Sequence, residues 1–76
     1  MEDVAKTVDA TGQKCPMPVL MTAKAAKELN SGDVMLIMAT DGGTRSDIPA
    51  WVSQTGNELL GQQDQGKEYV FFIRKK

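Results

Sequence analysis

Val34-Met35-Leu36-Ile37-Met38-Ala39 is the stretch that decides the fold. A strand sends alternate side chains to opposite faces, and here both alternating sets are apolar, so the strand is expected to be covered on both sides. Such a strand belongs in the middle of a sheet. Just before it, Asn30-Ser31-Gly32-Asp33 is a helix stop signal, and Lys24-Ala25-Ala26-Lys27-Glu28-Leu29 ahead of that are strong helix formers. The spacing predicts a helix from Pro16 to about Asn30. Further back, Ala5 to Asp9, flanked by Val4 and containing Val8, reads as a short strand leading into the Thr11-Gly12 turn. Strand, helix and strand in this order form a parallel βαβ unit, right-handed by the usual rule.

Beyond the central strand, Thr40-Asp41-Gly42-Gly43-Thr44 is a loop. Its glycine pair resembles a phosphate cradle, but no Gly-Lys-Ser/Thr follows, and a turn is the better reading. A second helix is predicted to begin between Thr44 and Ser46, with either hydroxyl as N-cap and Asp47 in the first turn, and to run to about Thr55 before Gly56. Pro49 sits early and is expected to shorten or bend the first turn. Ile48, Trp51, Val52 and Thr55 fall at i, i+3, i+4 and i+7, which puts Trp51 in the core instead of on a stacking platform. Two further strands, Glu58 to Gln63 and Lys67 to Arg74, are joined around Asp64-Gln65-Gly66 as a hairpin.

The order is βαβαββ, with no linker, repeat or low-complexity tract, and the 76 residues suit one domain, 1–76. Both helices join one face of the sheet in a two-layer α/β (α+β) sandwich. On the first helix, Val19, Thr22, Ala23, Ala26 and Leu29 form the stripe expected to face the core. Met17, Leu20 and Met21 project to the other side among Lys24, Lys27 and Glu28. They either cover the sheet edge or form a surface that docks partner proteins, a use for which flexible methionines are suited.

Composition excludes several classes. Nine basic against ten acidic residues give a formal net charge of −1, with no general attraction to nucleic acid or anionic membrane. Arg74-Lys75-Lys76 is the only basic run. The start Met1-Glu2-Asp3 is acidic where a signal peptide would be basic, and no apolar stretch approaches a membrane span, so a cytoplasmic location is expected. One cysteine forbids an internal disulfide, and the absence of histidine removes the commonest metal ligand and the usual general base. A Cys-His hydrolase, a C-x-x-C dithiol oxidoreductase and a structural zinc site are excluded within this chain, and no metal or cofactor is expected.

The single thiol lies in Gly12-Gln13-Lys14-Cys15-Pro16-Met17-Pro18. Proline fixes φ near the helical value and lacks an N–H, so Pro16 and Pro18 mark a helix start, with Cys15 at or beside the N-cap. Free amides and the positive end of the helix dipole favour an anion there, and Lys14 adds charge. An unperturbed thiol has a pKa of about 8.5, and each unit of lowering needs about 1.4 kcal/mol of preferential thiolate stabilisation. The alternative is a cysteine that serves as a small apolar side chain. Its setting between a glycine turn, a lysine and two prolines favours reactivity, because buried cysteines tend to sit within apolar runs.

These residues resemble the TusA/SirA-like sulfur-carrier family, small single-domain proteins with a Cys-Pro-x-Pro signature. The match runs through Val8 to Pro18, then Ser31-Gly32-Asp33-Val34, then Asp47-Ile48-Pro49-Ala50-Trp51. The resemblance implies a two-layer βαβαββ fold with a four-stranded mixed sheet. It also implies that Cys15 carries sulfane sulfur as a persulfide, taken from a donor of cysteine desulfurase or rhodanese type and passed to an acceptor protein. Pro16 and Pro18 occupy the family's proline positions, and Gly12, Lys14, Pro16 and Pro18 are expected to position the thiol. Relatives act in tRNA thiolation, molybdenum-cofactor supply, sulfur oxidation or thiosulfate handling. Such a sulfurtransferase-type carrier has no hydrolytic activity and needs no histidine. Members often carry Asp-Pro after the second strand, where this chain has Asp41-Gly42-Gly43. The competing readings are a non-catalytic interaction or regulatory module built on Met17, Leu20 and Met21, and a redox sensor that forms a mixed disulfide through its one thiol.

Overall fold

β2 (Val34–Ala39) takes an interior place, as its two apolar faces require. The computed structural model describes residues 4–14 and 16–76; Cys15 and the Met1-Glu2-Asp3 start lie outside the described residues. The elements are β1 (Lys6–Ala10), α1 (Met17–Ala26), β2, α2 (Thr44–Thr55), β3 (Glu58–Asp64) and β4 (Tyr69–Arg74). They build a four-stranded sheet in the order β1-β2-β4-β3. β1 pairs with β2 in parallel, while β4 pairs antiparallel with β2 on one side and β3 on the other. The mixed sheet and βαβαββ order agree with the sequence reading.

Register explains which face is covered. Val8, Ile37 and Phe71 lie in one row across β1, β2 and β4, and Met35 and Ile73 in the next alternate row, so all five project to the same side. They form one core with Ala25 and Ala26 of α1 and Ile48 and Val52 of α2, which puts both helices on that side. Burying an apolar side chain of this size contributes about 1.5–3 kcal/mol. Leu36, Met38 and Phe72 point to the opposite face and are half-buried, with no helix over them. At the end of that face Arg74 Nη1 pairs with Glu58 Oε1 at 3.1 Å, between register partners.

α1 differs from expectation in length and in rotation. It ends at Ala26, not near Asn30. The following residues tighten: the amides of Glu28 and Leu29 donate to the carbonyls three residues back, Ala25 and Ala26, at 3.0 and 3.1 Å. The Lys75 ammonium also donates to the Ala26 carbonyl at 2.7 Å, placing a cation at the negative end of the helix. Glu28 is drawn aside into an ion pair with Lys6 of β1. The buried residues of α1 are Pro18, Thr22, Ala25 and Ala26, whereas Val19, Ala23 and Leu29 are half-buried. The helix has two neighbours, so its apolar surface is split between the sheet and α2.

α2 keeps the expected bounds and ends on Gly56 in the left-handed conformation at φ 76°. Its start is not capped by a hydroxyl. Gly43 is the N-cap, and the Thr44 hydroxyl is buried without a hydrogen-bond partner among the described residues. Pro49 lies inside the helix, which begins about one turn before it, and Trp51 is half-buried against the core instead of sealed within it. β1 is displaced one residue from expectation, and β3 carries a bulge between Leu59 and Gly61. β4 begins at Tyr69 because Lys67 and Glu68 belong to the hairpin turn, where the Gln65 amide donates to the Glu68 carbonyl at 2.8 Å.

Candidate functional site

The thiol-bearing segment, residues 11–16, leaves the carboxyl end of β1 and enters α1. The carboxyl end of β2 lies beside it because the two strands are parallel, and the loop Asp41-Gly42-Gly43 leads from there into α2. Both helices therefore begin at the same edge of the sheet, the edge at which open α/β sheets place their reactive groups.

A network of local bonds fixes the base of the segment. One Asp9 carboxylate oxygen accepts from the Thr11 amide at 3.1 Å and from the Thr11 hydroxyl at 2.5 Å. These hydroxyl and amide donors stabilise the carboxylate and hold the Asp9 pKa below its ordinary value. The Gln13 amide donates to the Ala10 carbonyl at 3.2 Å. Gly12 has φ 80°, a conformation that costs side chains of the L configuration, and its amide donates to the Thr40 hydroxyl at the end of β2 at 2.8 Å. A turn of restricted shape thus ends three residues before Cys15.

On the far side of the thiol, the Met17 amide donates to the Lys14 carbonyl at 2.8 Å. Pro16 is the N-cap of α1, with φ −95° and ψ 12°, and no side chain caps it. The supply of amides at this helix start is smaller than the sequence reading assumed. Pro16 and Pro18 have none, Met17 has committed its own to Lys14, and among the described residues Val19 is the one further N–H donor in that turn. The Val19 amide, the α1 dipole and the Lys14 charge are the features among the described residues that favour an anion there.

The two prolines differ in role. Pro16 is exposed, whereas Pro18 is fully buried, and its carbonyl accepts the Thr22 hydroxyl at 2.8 Å one turn on. Pro18 is enclosed by the fold, while Pro16 faces solvent with Gly12, Gln13 and Lys14. Met17 and Leu20, 43% and 54% exposed, lie on the outer surface of α1, but Met21 turns inward against the core beside β1. The expected trio is thus a pair at the surface and one packed residue. Lys24 and Lys27 are exposed on the same helix.

Sequence reading did not single out two features. The Thr40 hydroxyl holds Gly12 across 28 positions, a separation that gives no local signal. Trp51 lines a shallow cleft of about 300 Å³ with Pro16, Val19, Asp47, Ala50 and Gln54. Its place in a Trp-bearing stripe was visible, but its nearness to the thiol segment was not. Among the described residues there is no cluster of three or more His, Cys, Asp or Glu suited to a metal ion. Among them, too, no helix is long and apolar enough to cross a membrane.

The fold and the sequence together define a class of small βαβαββ two-layer domains with a Cys-Pro-x-Pro segment between β1 and α1. The profile of the family described as "Sulfurtransferase TusA" matches residues 6–75, and the chain belongs to that family. Relatives agree. The sulfur carrier protein TusA of Pseudomonas entomophila is 50% identical over 70 residues, covering 92% of this chain and 88% of its own length. The sulfur carrier protein TusA of Allochromatium vinosum is 39% identical over 75 residues, covering 99% of each chain. The crystal structure of a SirA-like protein from Desulfitobacterium hafniense superposes with a TM-score of 0.80 at 25% identity, over 91% of this chain and 95% of that one.

Proposed function

We propose that this protein is a sulfur carrier in which Cys15 receives sulfane sulfur as a persulfide and hands it to an acceptor protein. The observation that carries the reading is the Cys-Pro-x-Pro segment of a TusA-family chain, bounded by the Gly12 turn and the buried Pro18, with no second thiol in the sequence. Flanking residues Lys14 and Pro16 are exposed, which suits a thiol that must meet other proteins.

The chemistry is an exchange without net redox change. The Cys15 thiolate attacks the outer sulfur of a donor persulfide. A bond forms between Sγ and that sulfur, the donor's S–S bond breaks, and the donor cysteine leaves as thiolate. The acceptor repeats the step on the outer sulfur of the Cys15 persulfide. No water is activated and no general base is required, which accords with a chain that lacks histidine. The single cysteine prevents loss of cargo, since no resolving thiol in the chain can expel the outer sulfur as sulfide.

Donor and acceptor proteins dock on the surface of Met17 and Leu20, with Lys14, Lys24 and Lys27 around it. Exposed apolar side chains rimmed by ammonium groups suit a partner with an apolar centre and acidic edges. Among donors, persulfide proteins of cysteine desulfurase or rhodanese type have the required chemistry. Acceptors of the tRNA-thiolation kind would take the sulfur onward, and the chain itself, with its net charge of −1, makes no direct contact with nucleic acid.

The test is loading by a protein persulfide donor followed by intact mass measurement. Wild type gains one sulfur atom, reversible by reductant, and Cys15→Ser gains none while keeping its circular dichroism spectrum. Sulfur on the serine variant would end the proposal.

A further inference from the structure

The two edges of the sheet are unequal. β3 carries a bulge, one of the features by which exposed strand edges avoid pairing with other chains. β1 stays in unbroken register with β2 from Lys6 to Ala10, and no proline lies within it. Its outer backbone groups meet no further strand among the described residues. At the carboxyl end of β1 the Ala10 carbonyl accepts from the Gln13 amide, so the open length runs from Lys6 to Asp9. Beside it lies a groove of about 320 Å³, walled by that length of β1 and by Met21, Lys24, Ala25 and Glu28 on the flank of α1. Val8, Met21 and Ala25 supply its apolar lining. Its charges are uneven. Glu28 is bonded to Lys6, and its pKa is lowered first by that bond and to a smaller extent by the charge of Lys24, so two ammonium groups share one carboxylate. Asp9, at the other end, is held by Thr11.

α1 runs back along β1, which brings Glu28 beside Lys6. Two strand residues span about 6–7 Å and four helical residues about 6 Å, so Lys24 stands level with Val8, near the middle of the open edge. This charge decides between occupants. A second copy of the chain, pairing β1 with β1 about a two-fold axis at Val8, would bring Lys24 against Lys24 of its mate, and like charges oppose that. We propose that an extended segment of a partner protein adds to β1 as a fifth strand in this groove, with apolar side chains against Val8, Met21 and Ala25 and an acidic side chain at Lys24. The open edge supplies the backbone bonds, and the alternating side chains supply the selectivity. The groove adjoins the Met17 and Leu20 surface at Lys24, which is exposed, but binding in it requires neither that surface nor a reactive Cys15.

The probe is the end-capped peptide Thr-Val-Thr-Glu-Thr-Val-Thr, whose valines and glutamate share one face when extended and whose sequence reads the same in both directions. Titrated into the isotope-labelled chain and followed by NMR, it is expected to shift the amides of Lys6 to Asp9 and of Met21 to Ala25 and to leave those of β3 unmoved. With lysine in place of its glutamate the peptide should bind about tenfold more weakly, and Lys24→Glu should reverse that preference. A peptide N-methylated throughout its backbone should not bind, because it has no amide to donate to β1. These readouts use neither a sulfur donor nor the thiol, so they stand apart from the carrier reading. Sedimentation equilibrium of the chain alone is expected to give a monomer. The proposal is overturned by an absence of shifts at millimolar peptide, or by shifts centred on β3 or on the open sheet face. Binding indifferent to charge reversal or to N-methylation, or a dimer whose contact shifts the β1 amides, overturns it equally.

Discussion

Replacing Gly12 by alanine tests whether the turn before the thiol is held by backbone conformation alone. Gly12 has φ 80°, and an ideal Cβ built there meets nothing within 4 Å. No clash opposes the substitution, so its cost is conformational: about 1–2 kcal/mol for an L side chain in the left-handed region. Alanine also restricts the unfolded chain, which offsets about 0.4–1 kcal/mol. The net loss is about 1 kcal/mol, equivalent to about 4–8 °C in melting temperature for a domain of this size. Gly42 is the matched control, because it has open space around it but no positive φ, so Gly42→Ala should be neutral or slightly stabilising. Urea unfolding followed by the fluorescence of Trp51, the one tryptophan in the sequence, gives both values, with a midpoint change at constant m reporting stability. Gly12→Asn should lie between wild type and alanine, since asparagine tolerates this region better. If Gly12→Ala and Gly42→Ala behaved alike, the turn would not be under conformational control.

Two other outcomes follow from the site and its surroundings. Leu20→Asp places a carboxylate on the outer surface of α1, and is expected to slow sulfur transfer at least tenfold while altering stability by less than about 0.5 kcal/mol, as for other exposed sites; transfer at the wild-type rate would remove this surface from the docking proposal. Asp9 and Glu28 both have lowered pKa values in the folded chain, Asp9 through the Thr11 hydroxyl and amide and Glu28 through its hydrogen bond and ion pair with Lys6. A carboxyl whose folded pKa is depressed stabilises the fold above its ordinary value and loses that contribution as pH falls through the folded value. The stability gap between wild type and an Asp9→Asn, Glu28→Gln variant should therefore narrow as pH drops below 4.5; a gap constant with pH would show that neither carboxylate is linked to folding.

How much could be read from residues alone follows the range of each interaction. β2 was legible because its apolar run reports an interior strand directly, and α2 because Gly56 stops it and its stripe is regular. α1 was misjudged at its end, since the contacts that close it come from Lys75 and Lys6, both far away in the chain. Its core face was rotated because a helical wheel assigns one stripe, whereas this helix packs on two neighbours. The basic tail gave no local signal, yet the Lys75 amide donates to the Asp33 carbonyl at 2.7 Å and its carbonyl accepts from Gly32 at 2.8 Å. At the site, the glycine turn and the proline pair could be recognised from residue type, but that Pro18 is buried while Pro16 is exposed depends on how α1 sits on the sheet. The shortage of amides at the helix start was implicit in the two prolines and became plain once the Met17 bond to Lys14 was seen.

The place of β4 bears on the order in which the molecule is made. Its hydrogen bonds join β2 to β3, so the strand that completes the centre of the sheet comes from residues 69–74. While the chain emerges from a ribosome, α1 appears before β4. Phe71 and Ile73, which share one core with Ala25 and Ala26 of α1, arrive after it. Until then β2 has one open side, and association with other nascent chains competes with closure. The core beneath α1 is thus closed only once residues 69–74 have joined the sheet.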